Sequence, residues 1–149
     1  MSGTLLRKLV RLSLAEWGEL LVAQRALIWA QLLVWTRPTG RLVSRADAAG
    51  DSLPAEPLDP RAYRLALAVG RAAEHGLFRP LCLVRAVALH RLLEARQIRG
   101  SRIRIGVRQA GGRFLAHAWV EHGAVVLGDV ESHTRRFTQL ADVHLMDAK

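Results

Sequence analysis

The sequence predicts an α+β fold in which helices come first and an antiparallel β-meander follows. Three observations carry this. Helix start and stop signals bracket three segments within the first hundred residues. After Gly100 the apolar period changes from about 3.6 to about 2, the repeat of a strand. Two turn signals, around Gly111-Gly112 and at His122-Gly123, then divide the alternating stretch into three strands. Helices segregated from a meander mark the α+β class.

Ser13 and Glu16 have the spacing of a capping box, in which each side chain satisfies the other residue's backbone N–H. A helix is therefore expected from Leu14 to Trp35, where Arg37-Pro38-Thr39-Gly40 stops it. It is apolar almost all round, with Trp17, Trp29 and Trp35 on different faces. Such a helix is either central to a core or covered by a partner. Ahead of it, Leu5, Leu6, Leu9 and Val10 alternate with Arg7, Lys8 and Arg11, which reads as a basic solvated face. Ser44 to Pro60 holds Gly50, Pro54, Pro57 and four acids and reads as a loop. It separates a helical extension, residues 1–43, from the main core, residues 60–149, within one compact unit. No internal repeat is present.

Asp59-Pro60 opens the next helix, with an Asp cap and a proline whose missing N–H costs nothing at the first position. His75-Gly76 closes it, and Tyr63, Ala66, Val69 and Ala73 are its expected buried stripe. A third helix is expected from Pro80 to about Arg96. Strands follow at Arg102 to Val107, Phe114 to Glu121 and Ala124 to Gly128, and the remaining tail carries little pattern.

The chain of 149 residues suits one domain. A domain of this size buries roughly 68–70% of its unfolded surface, enough for a core without staples. Half the residues are hydrophobic and 23% are charged, which excludes a largely disordered chain. Cys82 is the only cysteine, so no internal disulfide forms and a structural zinc site is disfavoured. The net charge of +9 permits an anionic partner. Yet the cations are scattered, without a like-charged block or aromatic interleaving, which argues against nucleic-acid binding. The longest charge-free apolar stretch near the N-terminus, Ala26 to Thr36, is far shorter than the ~20 residues of a membrane span. Glu16 and Glu19 interrupt any signal-peptide pattern, so the cytoplasm is the expected compartment.

On the expected helix Cys82 lies in the first turn, as its third residue. Free N–H groups and the positive end of the helix dipole stabilise a thiolate there and offer part of an oxyanion hole. Arg85, one turn on, adds a cation. The alternative is a buried structural thiol, because Cys82, Ala86, Leu89 and Leu93 share a face. His117 shares a strand face with Trp119 and Glu121 and is flanked by Ala116 and Ala118, which leave room for another element. It is either a hydrogen-bonded half-buried histidine or a catalytic base. A three-residue connection, His122 to Ala124, pairs Glu121 with Val125 and sets Asp129 opposite His117. A two-residue connection turns Asp129 to the other face. His75 reads as a helix end, His90 as mid-helix and His122 as a turn residue, while His133 and His144 fall in the tail; none shows metal spacing.

A cysteine at a helix start, then His and Asp on successive strands, resembles the transglutaminase-like branch of the papain-type cysteine peptidases. Cys82 to Leu89 (CLVRAVAL), Ile105-Gly106-Val107, the segment AHAWVE around His117, and Asp129 are similar to the maturation peptidases of lasso-peptide biosynthesis. The resemblance covers about Leu77 to Leu140. It implies a papain/transglutaminase-like core with no cofactor or metal. It also implies Cys82 as nucleophile, His117 as general base then acid, and Asp129 as orienting carboxylate. The implied reaction removes the leader from a ribosomally made precursor peptide, freeing the amino terminus on which an ATP-dependent cyclase closes a macrolactam. That family carries its winged-helix leader-binding domain either fused ahead or as a separate protein. The first 60 residues lack the strands of that domain, so the chain resembles the split form and is expected to need the separate protein, with the cyclase as a further partner. No upstream Gln is placed as a second oxyanion donor. Two other functions fit the same residues: acyl transfer in which an amine resolves the thioester, and a non-catalytic basic binding module.

Overall fold

Three helices pack on one another and on a five-stranded antiparallel sheet. The computed structural model describes residues 13–37, 44–45 and 57–143. The basic stretch Leu5 to Arg11, the stop at Pro38-Thr39-Gly40, most of the Ser44 to Pro60 loop and His144 lie outside these residues.

Helix α1, Leu14–Thr36, opens on the expected capping box. The Ser13 N–H donates to the Glu16 carboxylate at 2.8 Å, and the Glu16 N–H donates to Ser13 Oγ at 3.3 Å. Only the stripe Ala23, Leu27 and Ala30 is buried, while Trp17, Leu21, Trp29, Leu32 and Trp35 stay exposed. The helix is therefore peripheral. Its narrow, mostly small stripe lets it lie against the two helices that follow.

Helix α2, Pro60–His75, starts where Asp59 accepts the Arg61 N–H at 2.8 Å and ends at Gly76. Its buried residues include Ala62, Leu65, Ala66, Val69, Ala72 and Ala73. Tyr63, expected in that stripe, is 56% exposed. The stripe is centred on Ala62, Ala66, Val69 and Ala73, and residue 63 falls just beyond its edge.

Helix α3, Cys82–Ala95, begins two residues later than expected. Leu81 has extended backbone angles and acts as the cap, its carbonyl accepting the first helical bond from the Arg85 N–H at 3.1 Å. Cys82 is thus the first helical residue rather than the third. Val84, Ala86, Val87, Ala88, Leu89, Leu92 and Leu93 are all buried, because α3 touches α1 and α2 as well as the sheet. This helix, not α1, is the central one.

Strands β1 (Ser44–Arg45), β2 (Ser101–Ala110), β3 (Arg113–His122), β4 (Val125–Leu127) and β5 (Thr138–Val143) form a sheet of order β1-β5-β2-β3-β4. Gly111 and Gly112, both at positive φ, make the tight β2–β3 link that other residues adopt only with strain. The four-residue helix α4, Glu131–Thr134, connects β4 to β5. Two strands lie outside the expected meander: β1 in the segment read as loop, and β5 in the tail. Ala118, Val120 and Leu127 join Val84, Val87, Leu93 and Leu27 in one apolar core.

The β3–β4 connection has two residues, Gly123 and Ala124, so His122 pairs with Val125 and Glu121 with Val126. The expected pairing of Glu121 with Val125 does not occur. Gly123, at φ 59°, permits the tighter link.

Candidate active site

Cys82 is partly buried at the start of α3. The Arg85 N–H makes the first i to i−4 bond, so the N–H groups of Cys82, Leu83 and Val84 have no partner within the helix. One residue therefore carries both a thiol and an uncommitted amide donor. A cavity of about 230 Å³ lies between α2, α3, β3 and the segment after β4. Cys82, Arg85, His117, Asp129 and His133 all line it.

His117 projects from the middle of β3, paired across the sheet with Gly106. Its Nε2 and the Oδ2 of Asp129 share a short hydrogen bond. That bond leaves Nδ1 as the ring nitrogen for a second partner. The imidazole is packed by Trp119 (ring centroids 6.1 Å apart), Phe137 (5.2 Å) and the edge of His133 (4.8 Å). Trp119 is fixed in turn: its Nε1–H donates to Glu121 Oε1 at 2.9 Å, and Glu121 Oε2 accepts from Arg104 at 2.8 Å. A Cβ on Gly106 would lie 2.7 Å from the Phe137 Cβ and 2.9 Å from the Trp119 ring. Only a residue without a side chain allows both rings to cross this position.

Asp129 reaches His117 from a turn and not from a strand. Strand β4 ends at Leu127, and its register, continued, would set Asp129 opposite Ala118 on the wrong face. Gly128, at φ 74°, swings the chain so that the next carboxylate points back to His117. The expected contact is present, but the three-residue register expected to produce it is not. Asp129 Oδ1 accepts the Val130 N–H at 2.7 Å, and His133 Nδ1 lies 3.5 Å from the same oxygen. Burial pushes the Asp129 carboxyl up. The hydrogen bonds from His117 and the Val130 N–H, with the charges of His117 and His133, outweigh it and hold the group below the usual carboxylate range.

His133 and Phe137 are the site residues the sequence reading missed. Their one signal was the four-residue spacing of Asp129, His133 and Phe137, of which only His133 lies in the single helical turn Glu131–Thr134. Ligand atoms of His117, Asp129 and His133 lie within 4.8 Å of one another, the candidate metal cluster among the described residues. The His117 and Asp129 atoms are already bonded to each other, so the geometry is that of a hydrogen-bonded set. The remaining described histidines are elsewhere. His75 ends α2, His90 bonds Ser101 at 2.9 Å, and His122 is buried at the end of β3 rather than in a turn.

The sequence profile of the transglutaminase-like superfamily matches residues 21–142, from within α1 to within β5. The chain belongs to the transglutaminase-like superfamily. The match spans every residue of the cavity, so this transglutaminase-like domain falls in a group built on cysteine-peptidase and acyl-transfer chemistry. No curated protein and no solved structure matches the chain significantly. Among the described residues, no helix of this transglutaminase-like chain is long and apolar enough to cross a membrane.

Proposed function

We propose that the protein is a cysteine peptidase that removes the leader from a lasso-peptide precursor, acting with a separate leader-binding protein. The observation that carries this reading is the bonded His117–Asp129 pair on the same cavity as a thiol at a helix start. His117 Nδ1 takes the Cys82 proton and the thiolate attacks the scissile carbonyl carbon. The Cys82 N–H donates to the oxyanion that develops. Collapse breaks the C–N bond, and His117 returns the proton to the leaving amine. Water, deprotonated by His117, then releases the leader carboxylate from the thioester. Asp129 holds the imidazole in its working tautomer and stabilises its charged form.

The leader-binding protein supplies local concentration. Ordering a flexible leader costs about 1–2 kcal/mol per residue of backbone entropy. Capture by a second protein raises the leader's effective concentration near Cys82 to roughly millimolar. We assign its docking surface to the uncovered faces of α1, which carry Trp17, Leu21 and Trp35.

The test mixes the chain with its genomically neighbouring precursor, with and without the leader-binding protein, and weighs the products. The expected result is a leader ending in a free carboxylate, formed with a higher kcat/KM when the second protein is present. A product carrying an added amine would mean acyl transfer instead. Equal kcat/KM in both mixtures would remove the partner from the mechanism.

A further inference from the structure

We propose that Arg85 forms a carboxylate-binding subsite beside Cys82, so that the preferred substrate carries an acidic side chain next to the bond that is broken. The substrate half of this statement rests on the peptidase reading above; the subsite itself does not. Arg85 stands three residues after Cys82 on α3, and side chains at that spacing are neighbours, with Cβ atoms about 5–6 Å apart. Both line the cavity.

The other charged groups of the cavity are engaged with one another, Asp129 with His117 and His133. Arg85 is only partly exposed, yet its guanidinium has no ion pair or hydrogen bond among the described residues. Other arginines of the chain do find carboxylates: Arg61 meets Asp59 at 2.7 Å, Arg104 meets Glu121 at 2.8 Å and Arg135 meets Glu131 at 2.6 Å. A half-buried cation without a partner loses hydration and gains nothing in return until a ligand supplies the charge.

The planar fork of a guanidinium matches a carboxylate with two parallel hydrogen bonds. Ala66, Val69 and Leu89 share the cavity wall and lower the local dielectric around such a pair. Gly70 of α2 also lines the cavity, and a Cβ there would meet nothing within 4 Å, so the space beside it is unfilled. An extended peptide advances about 3.3 Å per residue, so the side chain of an Asp or Glu adjacent to the scissile bond can reach a residue whose Cβ lies about 5–6 Å from that of Cys82.

Alkylation of the single cysteine tests the subsite without any peptide. Iodoacetate and iodoacetamide transfer the same carbon to sulfur: a C–S bond forms, the C–I bond breaks, iodide leaves and the thiol proton goes to solvent. They differ in that only iodoacetate carries a carboxylate. Intact mass follows Cys82 alone, since the chain has no other thiol. The expected iodoacetate-to-iodoacetamide rate ratio is about tenfold above that of a small neutral thiol, corresponding to about 1.4 kcal/mol. Iodoacetate should also saturate. Arg85→Gln should return the ratio to the small-thiol value. Arg64→Gln, which removes the same charge from an exposed position on α2 outside the cavity, should leave it unchanged. Circular dichroism checks both folds. If Arg85→Gln does not fold, Arg85→Lys, which keeps the charge without the fork, must give an intermediate ratio. A wild-type ratio equal to that of the small thiol overturns the proposal, as does an equal loss in Arg64→Gln, which would trace the preference to net charge. Because the readout is alkylation, failure of precursor cleavage and failure of the subsite are separate results.

Discussion

His117 Nε2 and Asp129 Oδ2 share a hydrogen bond although β4, which pairs with the far end of β3, ends two residues before Asp129. The bond is made by the turn at Gly128, so the site depends on backbone geometry at a residue that takes no part in the chemistry. It also fixes Nδ1 as the ring nitrogen left for a second partner. That assignment has direct consequences for variants of the three residues.

Cys82→Ala should reduce precursor cleavage to background while leaving the fold intact. The change removes one sulfur from a partly buried position, so stability should move by less than about 2 kcal/mol. Mass spectrometry and circular dichroism on the same sample check both halves. Undiminished cleavage by a folded variant would eliminate the peptidase mechanism.

His117→Ala should be nearly as damaging, because among the described histidines only His117 hydrogen-bonds Asp129 on the cavity wall, whereas His133, the other histidine there, approaches the second carboxylate oxygen only to 3.5 Å. Asp129→Asn should retain a trace of activity, since a wrongly held imidazole is better than none. The loss expected from the comparable change in a Ser-His-Asp triad is about 10⁴-fold in kcat. Single-turnover rates rank the variants, and an Asp129→Asn enzyme of wild-type rate would remove Asp129 from the mechanism.

Acid should dismantle the pair before it touches the rest of the core. The folded-state pKa of Asp129 is lowered, so its contribution to stability is fully present above the unfolded value, about 3.9, and is lost as pH falls through the lower folded value. Thermal melting of wild type and Asp129→Asn should therefore differ by a constant amount from about pH 5 to 7 and begin to converge below about pH 4, the difference vanishing only beneath the lowered folded value. Curves that stay parallel down to the acid limit would contradict the linkage.

Gly106→Ala should destabilise the chain by about 1–3 kcal/mol, because the new methyl overlaps Phe137 and Trp119. Activity should fall with it, since those rings pack His117. Gly18→Ala is the contrast: a Cβ there meets nothing within 4 Å, in the second turn of α1, and should stabilise by about 0.5–1 kcal/mol. Urea unfolding of the two variants decides it.

Helix boundaries were legible in the sequence where a side chain does the capping. The Ser13–Glu16 box and the Asp59-Pro60 start lie where their hydrogen bonds require. The start of α3 was not, because Leu81 caps through backbone angles alone, with no side-chain hydrogen bond. The β2–β3 hairpin was written in Gly111-Gly112, but the β3–β4 register depended on one residue of loop length that composition does not specify. The pairing of His117 with Asp129 was reached from the sequence through a register that does not exist. His133 and Phe137 stayed hidden because α4 is a single turn and offers no period to detect.

The placement of α1 has an optical consequence. Three of the four indoles sit on that helix, with Trp17, Trp29 and Trp35 at 39%, 40% and 75% exposure, whereas Trp119 is 5% exposed and stacked beside His117. A dissolved collisional quencher such as acrylamide reaches the first three and is shut out from the fourth. The emission that survives quenching is therefore that of Trp119, and it reports on the ring beside it.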